Sequence, residues 1–144
     1  MSRRGNTLIE LVSLLAVLAV LAAVAVPTAS GARRALAGRG GAQRLALLLR
    51  TAQAQAQSRA CRIDVSVGGD GHYEVVEAGS AATSERGELG TPVSTNYPSG
   101  ALSFGPTGSP CLLATTTPRA GSFVFGQAAG CTVVVQLGGC IRCR

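Results

Sequence analysis

Residues 8–26, LIELVSLLAVLAVLAAVAV, constrain this chain more than any other segment: nineteen consecutive positions hold only two polar residues, Glu10 and Ser13. A helix rises about 1.5 Å per residue, so the run comes close to spanning the ~30 Å hydrocarbon layer of a bilayer. Arg3 and Arg4 precede it with no acid beside them. The positive-inside rule then keeps the N-terminus in the cytoplasm and sends everything after Pro27 outside, in a single pass. The rival reading is a conventional secretory signal, for which the small residues between Ala22 and Ala32 supply a cleavage site. Glu10 argues against that rival. An unpaired carboxylate costs about 2.5–3.5 kcal/mol at the membrane centre and less near the edge, so an acid kept inside such a run marks a functional position.

The chain beyond Pro27 is long enough for one domain with a core of modest size. The whole has 144 residues, and its 13 basic side chains, all Arg, face 7 acids. With only 14% charged residues it is neither a disordered polyelectrolyte nor a strongly basic nucleic-acid binder.

The N-terminal residues carry a family resemblance. Arg4-Gly5 followed by Asn6-Thr7-Leu8-Ile9-Glu10 and an apolar helix resembles the class III signal of type IV pilins and type II secretion pseudopilins, which reads Gly, usually Phe, then Thr, Leu, Ile, Glu. The resemblance implies cleavage after Gly5 by a prepilin peptidase, N-methylation of the new terminus at Asn6, and retention of the helix. It gives Glu10 the assembly role of meeting a neighbouring subunit's free amine. Opposite charges attract strongly in a low-dielectric medium and relieve each other's burial cost, so a buried acid serves as an assembly signal. Asn6 departs from the usual Phe. Pro27 falls where many members carry a helix-kinking proline.

Beyond Pro27 the composition predicts an interrupted helix. Gly38, Gly40 and Gly41 lie close together, each interior glycine costing about 1 kcal/mol relative to Ala, and a bend or melted turn is expected there. From Gln43, Leu45, Leu48, Leu49, Ala52 and Ala56 make one apolar stripe that should cover a sheet, while Arg50, Gln53 and Gln57 fall on the opposite, solvated side. The segment LLLRTAQAQAQSRACRIDVSV resembles the helix-to-strand junction of the GspH/FimT group of minor pseudopilins and pilins. The likeness continues through LSFGPTG and the last strands.

Alternation sends Ile63, Val65 and Val67 to one face; GGDG at 68–71 then turns the chain into HYEVVEA, a hairpin with His72 at the turn edge. A lone His without a second His or an acid cluster reads as structural. Residues 79–100 lack apolar periodicity and are rich in Gly, Ser, Thr and Pro, so they read as a long loop. ALSFGPTGSP, GSFVFGQAAG, CTVVVQLGG and CIRCR read as short strands with turns. The expected fold class is α+β and pilin-like: a long N-terminal transmembrane helix packed on a small antiparallel sheet head. The expected divisions are a leader at 1–5, an assembly helix at 6–27, a helical extension at 28–60 and a β-rich head at 61–144.

Five cysteines in a chain that leaves the cytosol predict disulfide stapling: two bridges among Cys111, Cys131, Cys140 and Cys143, with Cys61 free and the connectivity open. Cys140-Ile141-Arg142-Cys143 has the spacing of a redox pair, but it ends a β-rich tail instead of opening a helix. Zinc would need a second paired motif. No Ser/His/Asp set, paired carboxylates in a motif or phosphate-cradling loop is present. The reading is therefore a non-enzymatic chain with no cofactor, no metal and no small-molecule substrate.

Two functions from different classes remain. The resemblance implies a minor pilin or pseudopilin of a type II secretion pseudopilus or type IV pilus, with prepilin peptidase, other pilins and an inner-membrane assembly platform as partners. Its place is the inner membrane, with the head outside the cytoplasm and associated with a filament. The alternative is a DNA receptor on a competence pilus. Certain FimT-type pilins bind DNA through a C-terminal Gly-Arg-x-Arg pattern; here the nearest match is Gly139-Cys140-Ile141-Arg142 followed by Arg144, with Cys140 in place of the first Arg. Arg142 and Arg144 are the candidate contacts.

Overall fold

A computed structural model describes residues 8–79, 83–126 and 131–144, the side chains of 24–29 excepted. The leader junction at Gly5 and Asn6 lies outside the described residues. One helix, α1 (Leu8–Arg59), precedes nine strands: β1 (Ile63–Val67), β2 (His72–Glu77), β3 (Thr83–Glu88), β4 (Val93–Thr95), β5 (Ala101–Phe104), β6 (Pro110–Leu112), β7 (Gly121–Phe125), β8 (Cys131–Val135) and β9 (Ile141–Cys143). The chain divides into two compact units, Met1–Arg34 and Ala35–Arg144.

In the first unit the described helical side chains from Leu8 to Ala23 are all exposed, Leu8 at 81% and Val20 at 66% among them. The Ser13 hydroxyl donates to the Ile9 carbonyl at 2.7 Å, so its polarity is absorbed by the helix itself. Among the described residues no helix is long and apolar enough to cross a membrane; the side chains of 24–29, which continue the apolar run, lie outside them.

The second unit is two antiparallel sheets. Their strand orders are β3-β2-β1-β5-β6 and β4-β7-β8-β9. The expected hairpin forms, with Val65 opposite Val75 and Val67 opposite Tyr73. Ile63, Val65 and Val67 are buried as the alternation requires. Leu45, Leu48, Leu49, Ala52 and Ala56 share one core cluster with them, Leu102 and Phe104 from the first sheet, and Phe123, Phe125, Val133, Val135 and Ile141 from the second. The apolar stripe of α1 therefore joins both sheets into one core.

Three expectations are corrected by this arrangement. The helix continues through Gly38, Gly40 and Gly41. Gly41 is there for close approach: a Cβ on it would stand 2.9 Å from Thr91 Cγ2 and 3.1 Å from both the Leu89 carbonyl oxygen and the Phe125 ring. The stretch 79–100 holds β3, β4 and a single 3-10 turn, Pro98–Gly100, instead of one long loop. β3 is an exposed, charged edge strand with no apolar face, and β4 is three residues long, so neither gives the alternation that marks a half-buried strand.

The third correction concerns the polar side of α1. An Arg50 guanidinium N–H donates to the Ile141 carbonyl at 3.0 Å, the Gln53 amide to the carbonyls of Gly108 and Gly139 at 2.8 and 2.9 Å, and the Gln57 amide to that of Thr107 at 3.2 Å. The turn after β5 and the turn before β9 thus meet beneath one glutamine. The expected solvated face holds in part, since Arg50 and Gln57 are exposed and Gln53 half-buried, but all three side chains also satisfy backbone carbonyls of β9 and of two turns.

Candidate functional site

Glu10 lies in the first turn of α1 and is exposed. Ser13 is the other polar side chain between Leu8 and Ala23. A helical segment that is apolar all round is of the kind ordinarily found buried.

On the second sheet, period-2 alternation separates two faces. Phe123, Phe125, Val133, Val135 and Ile141 point into the core. The other face carries Arg142 across from Val134 and Ser122, and Arg144 beside Thr132, with Val124 and Ser94 continuing that row. Arg142 and Arg144 are exposed, and no ion pair or side-chain hydrogen bond holds either guanidinium among the described residues. Arg119, whose guanidinium donates to the Asn96 carbonyl at 3.3 Å, belongs to the same acid-free stretch of chain that follows Glu88. The result is a sheet face of hydroxyls, valines and two unpaired arginines.

Three acids of the first sheet are paired with arginines. Arg86 meets Glu74 at 3.0 Å, Arg62 meets Asp64 at 3.1 Å and Arg59 meets Glu77 at 2.9 Å. Hydrogen bonds from Thr83 and Arg86 hold the Glu74 carboxyl below its ordinary range. Ser103, fully buried, donates to Asp64 at 2.6 Å, a cross-strand bond that no sequence pattern announced. His72 is exposed at the start of β2, 3.9 Å from Asp70. With Ser66, Glu74 and Arg86 these two line an open depression of about 300 Å³. Among the described residues no three His, Cys, Asp or Glu side chains gather as metal ligands.

All five cysteines are free thiols. The bridges expected among Cys111, Cys131, Cys140 and Cys143 are not drawn in this structure, whose strands place the four as follows. Cys111 lies on β6 of the first sheet, Cys131 and Cys143 on β8 and β9 of the second, and Cys140 just before β9. Cys140 and Cys143 are separated by three residues of extended chain, about 10 Å, beyond the ~7 Å a disulfide spans. Cys61, at the end of α1, has its thiol pushed up by burial and by the adjoining Glu77 carboxylate.

The architecture is that of pilins: α+β, a long N-terminal helix followed by antiparallel sheets. The chain is similar to the type IV minor pilin FimU of Pseudomonas aeruginosa (strain PAO1), solved in two crystal forms. One form shares 18% identity at a TM-score of 0.59, covering 72% of this chain and 90% of that one. The other shares 17% at 0.61, covering 74% and 87%. No family model and no curated protein matches the sequence.

Proposed function

We propose that the chain is a minor pilin subunit of a type IV pilus or type II secretion pseudopilus, cut after Gly5 by a prepilin peptidase, methylated at Asn6 and assembled through its N-terminal helix. The observation that carries this reading is Glu10: a lone acid in the apolar first part of α1, whose side chains from Leu8 to Ala23 are all exposed, on a chain with a pilin-like fold. In the assembled state neighbouring helices take the place of lipid, and the carboxylate of Glu10 meets the new N-terminal amine of another subunit. The inner membrane holds the subunit before assembly, its head outside the cytoplasm, where an assembly platform extracts it. Co-expression with a prepilin peptidase tests the reading: the protein loses five residues and keeps its apolar helix. An intact N-terminus, or a cut near Ala29, overturns it.

A second reading, a DNA-contacting pilin, draws on one specific observation. The outer face of the second sheet presents Arg142 and Arg144 unpaired, with no acid on that face. Such a face makes sequence-independent contacts to a phosphate backbone, weak for one subunit and additive along a filament.

A further inference from the structure

We propose that Arg33 and Arg34 bind the phosphate-bearing headgroups of anionic phospholipids where α1 leaves the membrane. The inference rests on the reading of residues 8–26 as a membrane span and adds a lipid preference to it. Both arginines lie in the first unit, both are exposed, and no ion pair or hydrogen bond holds either guanidinium among the described residues. The neighbouring sequence supplies no counter-charge either. No Asp or Glu stands between Glu10 and Asp64, and Asp64 is already held by Arg62.

Their height on the helix points to lipid. The helix is continuous from Leu8 to Arg59, so Arg33 and Arg34 stand about 10 and 12 Å past Val26 along its axis. A headgroup layer is about 5–8 Å deep on each side of the hydrocarbon. The Cα–Cβ bonds of a helix lean toward its N-terminus, here toward the apolar run, and the long stem of an arginine carries its charge further the same way. Both guanidinium groups therefore come level with the phosphates.

Their spacing favours lipid over a protein partner. Adjacent residues project about 100° apart around a helix, so the pair makes no common face for a partner to seat on. A lipid layer encloses the helix and meets both directions at once. Each guanidinium takes a phosphate in a two-pronged, charge-assisted bond, and attraction to an anionic surface is worth about fivefold per arginine.

The test uses the full chain in mixed phosphatidylcholine–phosphatidylglycerol vesicles at physiological salt, with a trace of either lipid carrying a spin label. Electron paramagnetic resonance reads how much of each label the protein holds in a motionally restricted state. Phosphatidylglycerol is expected to be favoured by about fivefold or more. That preference is expected to fade at about 1 M salt, where the screening length falls to about 3 Å. Arg33→Gln with Arg34→Gln abolishes it, and Arg33→Lys with Arg34→Lys keeps most of it, because the attraction is to charge. Equal restriction of both labels, the result if the pair serves an acidic protein instead, overturns the proposal, as does a preference that survives the glutamine pair. Restriction of neither label means that no apolar helix is embedded, and overturns the membrane reading itself.

Discussion

Gly41 packs directly against Thr91, so closely that a single added carbon would come within 2.9 Å of the threonine methyl. One turn of helix contains the contrast: around Gly40 nothing lies within 4 Å of the same added carbon. Gly40→Ala is therefore expected to raise stability by up to about 1 kcal/mol through helix propensity. Gly41→Val is expected to lower it by about 1–3 kcal/mol, because the Leu89 carbonyl and the Phe125 ring leave no room. Denaturant unfolding of the full chain in detergent measures both; equal shifts of one sign would mean that α1 does not seat on this unit through Gly41.

Gln53 holds two turns at once. Gln53→Ala removes both bonds and is expected to cost about 1–3 kcal/mol, whereas Gln57→Ala, with one exposed bond, costs about 0.5 kcal/mol. Gln53→Glu is the sharper test, since it aims a carboxylate at two carbonyl oxygens; a variant as stable as the parent would refute the clamp.

Tyr97 predicts an alkaline weakness. Burial raises its phenol from 10.0 to about 12, against a smaller opposing pull from Arg119. The folded state keeps the proton where the unfolded chain releases it, so the stabilisation is complete below pH 10.0 and is lost as pH rises from there to about 12. Tyr97→Phe keeps the stacking on Phe123, at 5.5 Å between ring centres, but loses the bond to the Arg119 carbonyl. Unfolding midpoints tracked upward from about pH 8 should fall less steeply in this variant; parallel slopes would rule the tyrosine out as the cause.

Glu10→Ala is expected to leave cleavage after Gly5 and membrane insertion in place while depleting the protein from sheared filaments made with its partner pilins. The neighbour's amine then lacks its buried counter-charge. Equal recovery of variant and parent in the sheared fraction would remove Glu10 from assembly.

For the DNA reading, each phosphate contact contributes roughly 0.9 to the log–log salt slope on duplex DNA. Replacing Arg142 and Arg144 together by Ala should flatten that slope by about two units in titrations of the full chain in detergent. Absence of binding at low salt, or a slope indifferent to the pair, leaves the structural subunit reading alone.

The residues that could be read in advance are those whose neighbours are local in sequence. The stripe from Leu45 to Ala56 and the alternation at Ile63, Val65 and Val67 announce one buried face each, and both proved buried. Gly41 and Gln53 could not be read that way. A glycine chosen for a tight contact looks identical in sequence to one that breaks a helix, and a glutamine reaching Gly139, 86 positions away, looks identical to one in water. β3 escaped because an exposed edge strand has no buried face to impose alternation. The arginines at 142 and 144 were visible as residues; that they share one acid-free sheet face with Ser94, Ser122 and Thr132 required the register.

β4 lies between strands of the first sheet in chain order, yet pairs with β7 in the second. Val93 finds its partner Phe125 only after the whole of β5 and β6 has intervened. A chain synthesised from its N-terminus must therefore wait: its helix stripe stays uncovered on one side, and Val93 unmatched, until Phe125 has emerged. Long-range pairings of this kind fold slowly because the loop is closed before the contact rewards it. The interval between emergence of Val93 and of Phe125 is the window in which a chaperone would act on this protein, or in which it would aggregate.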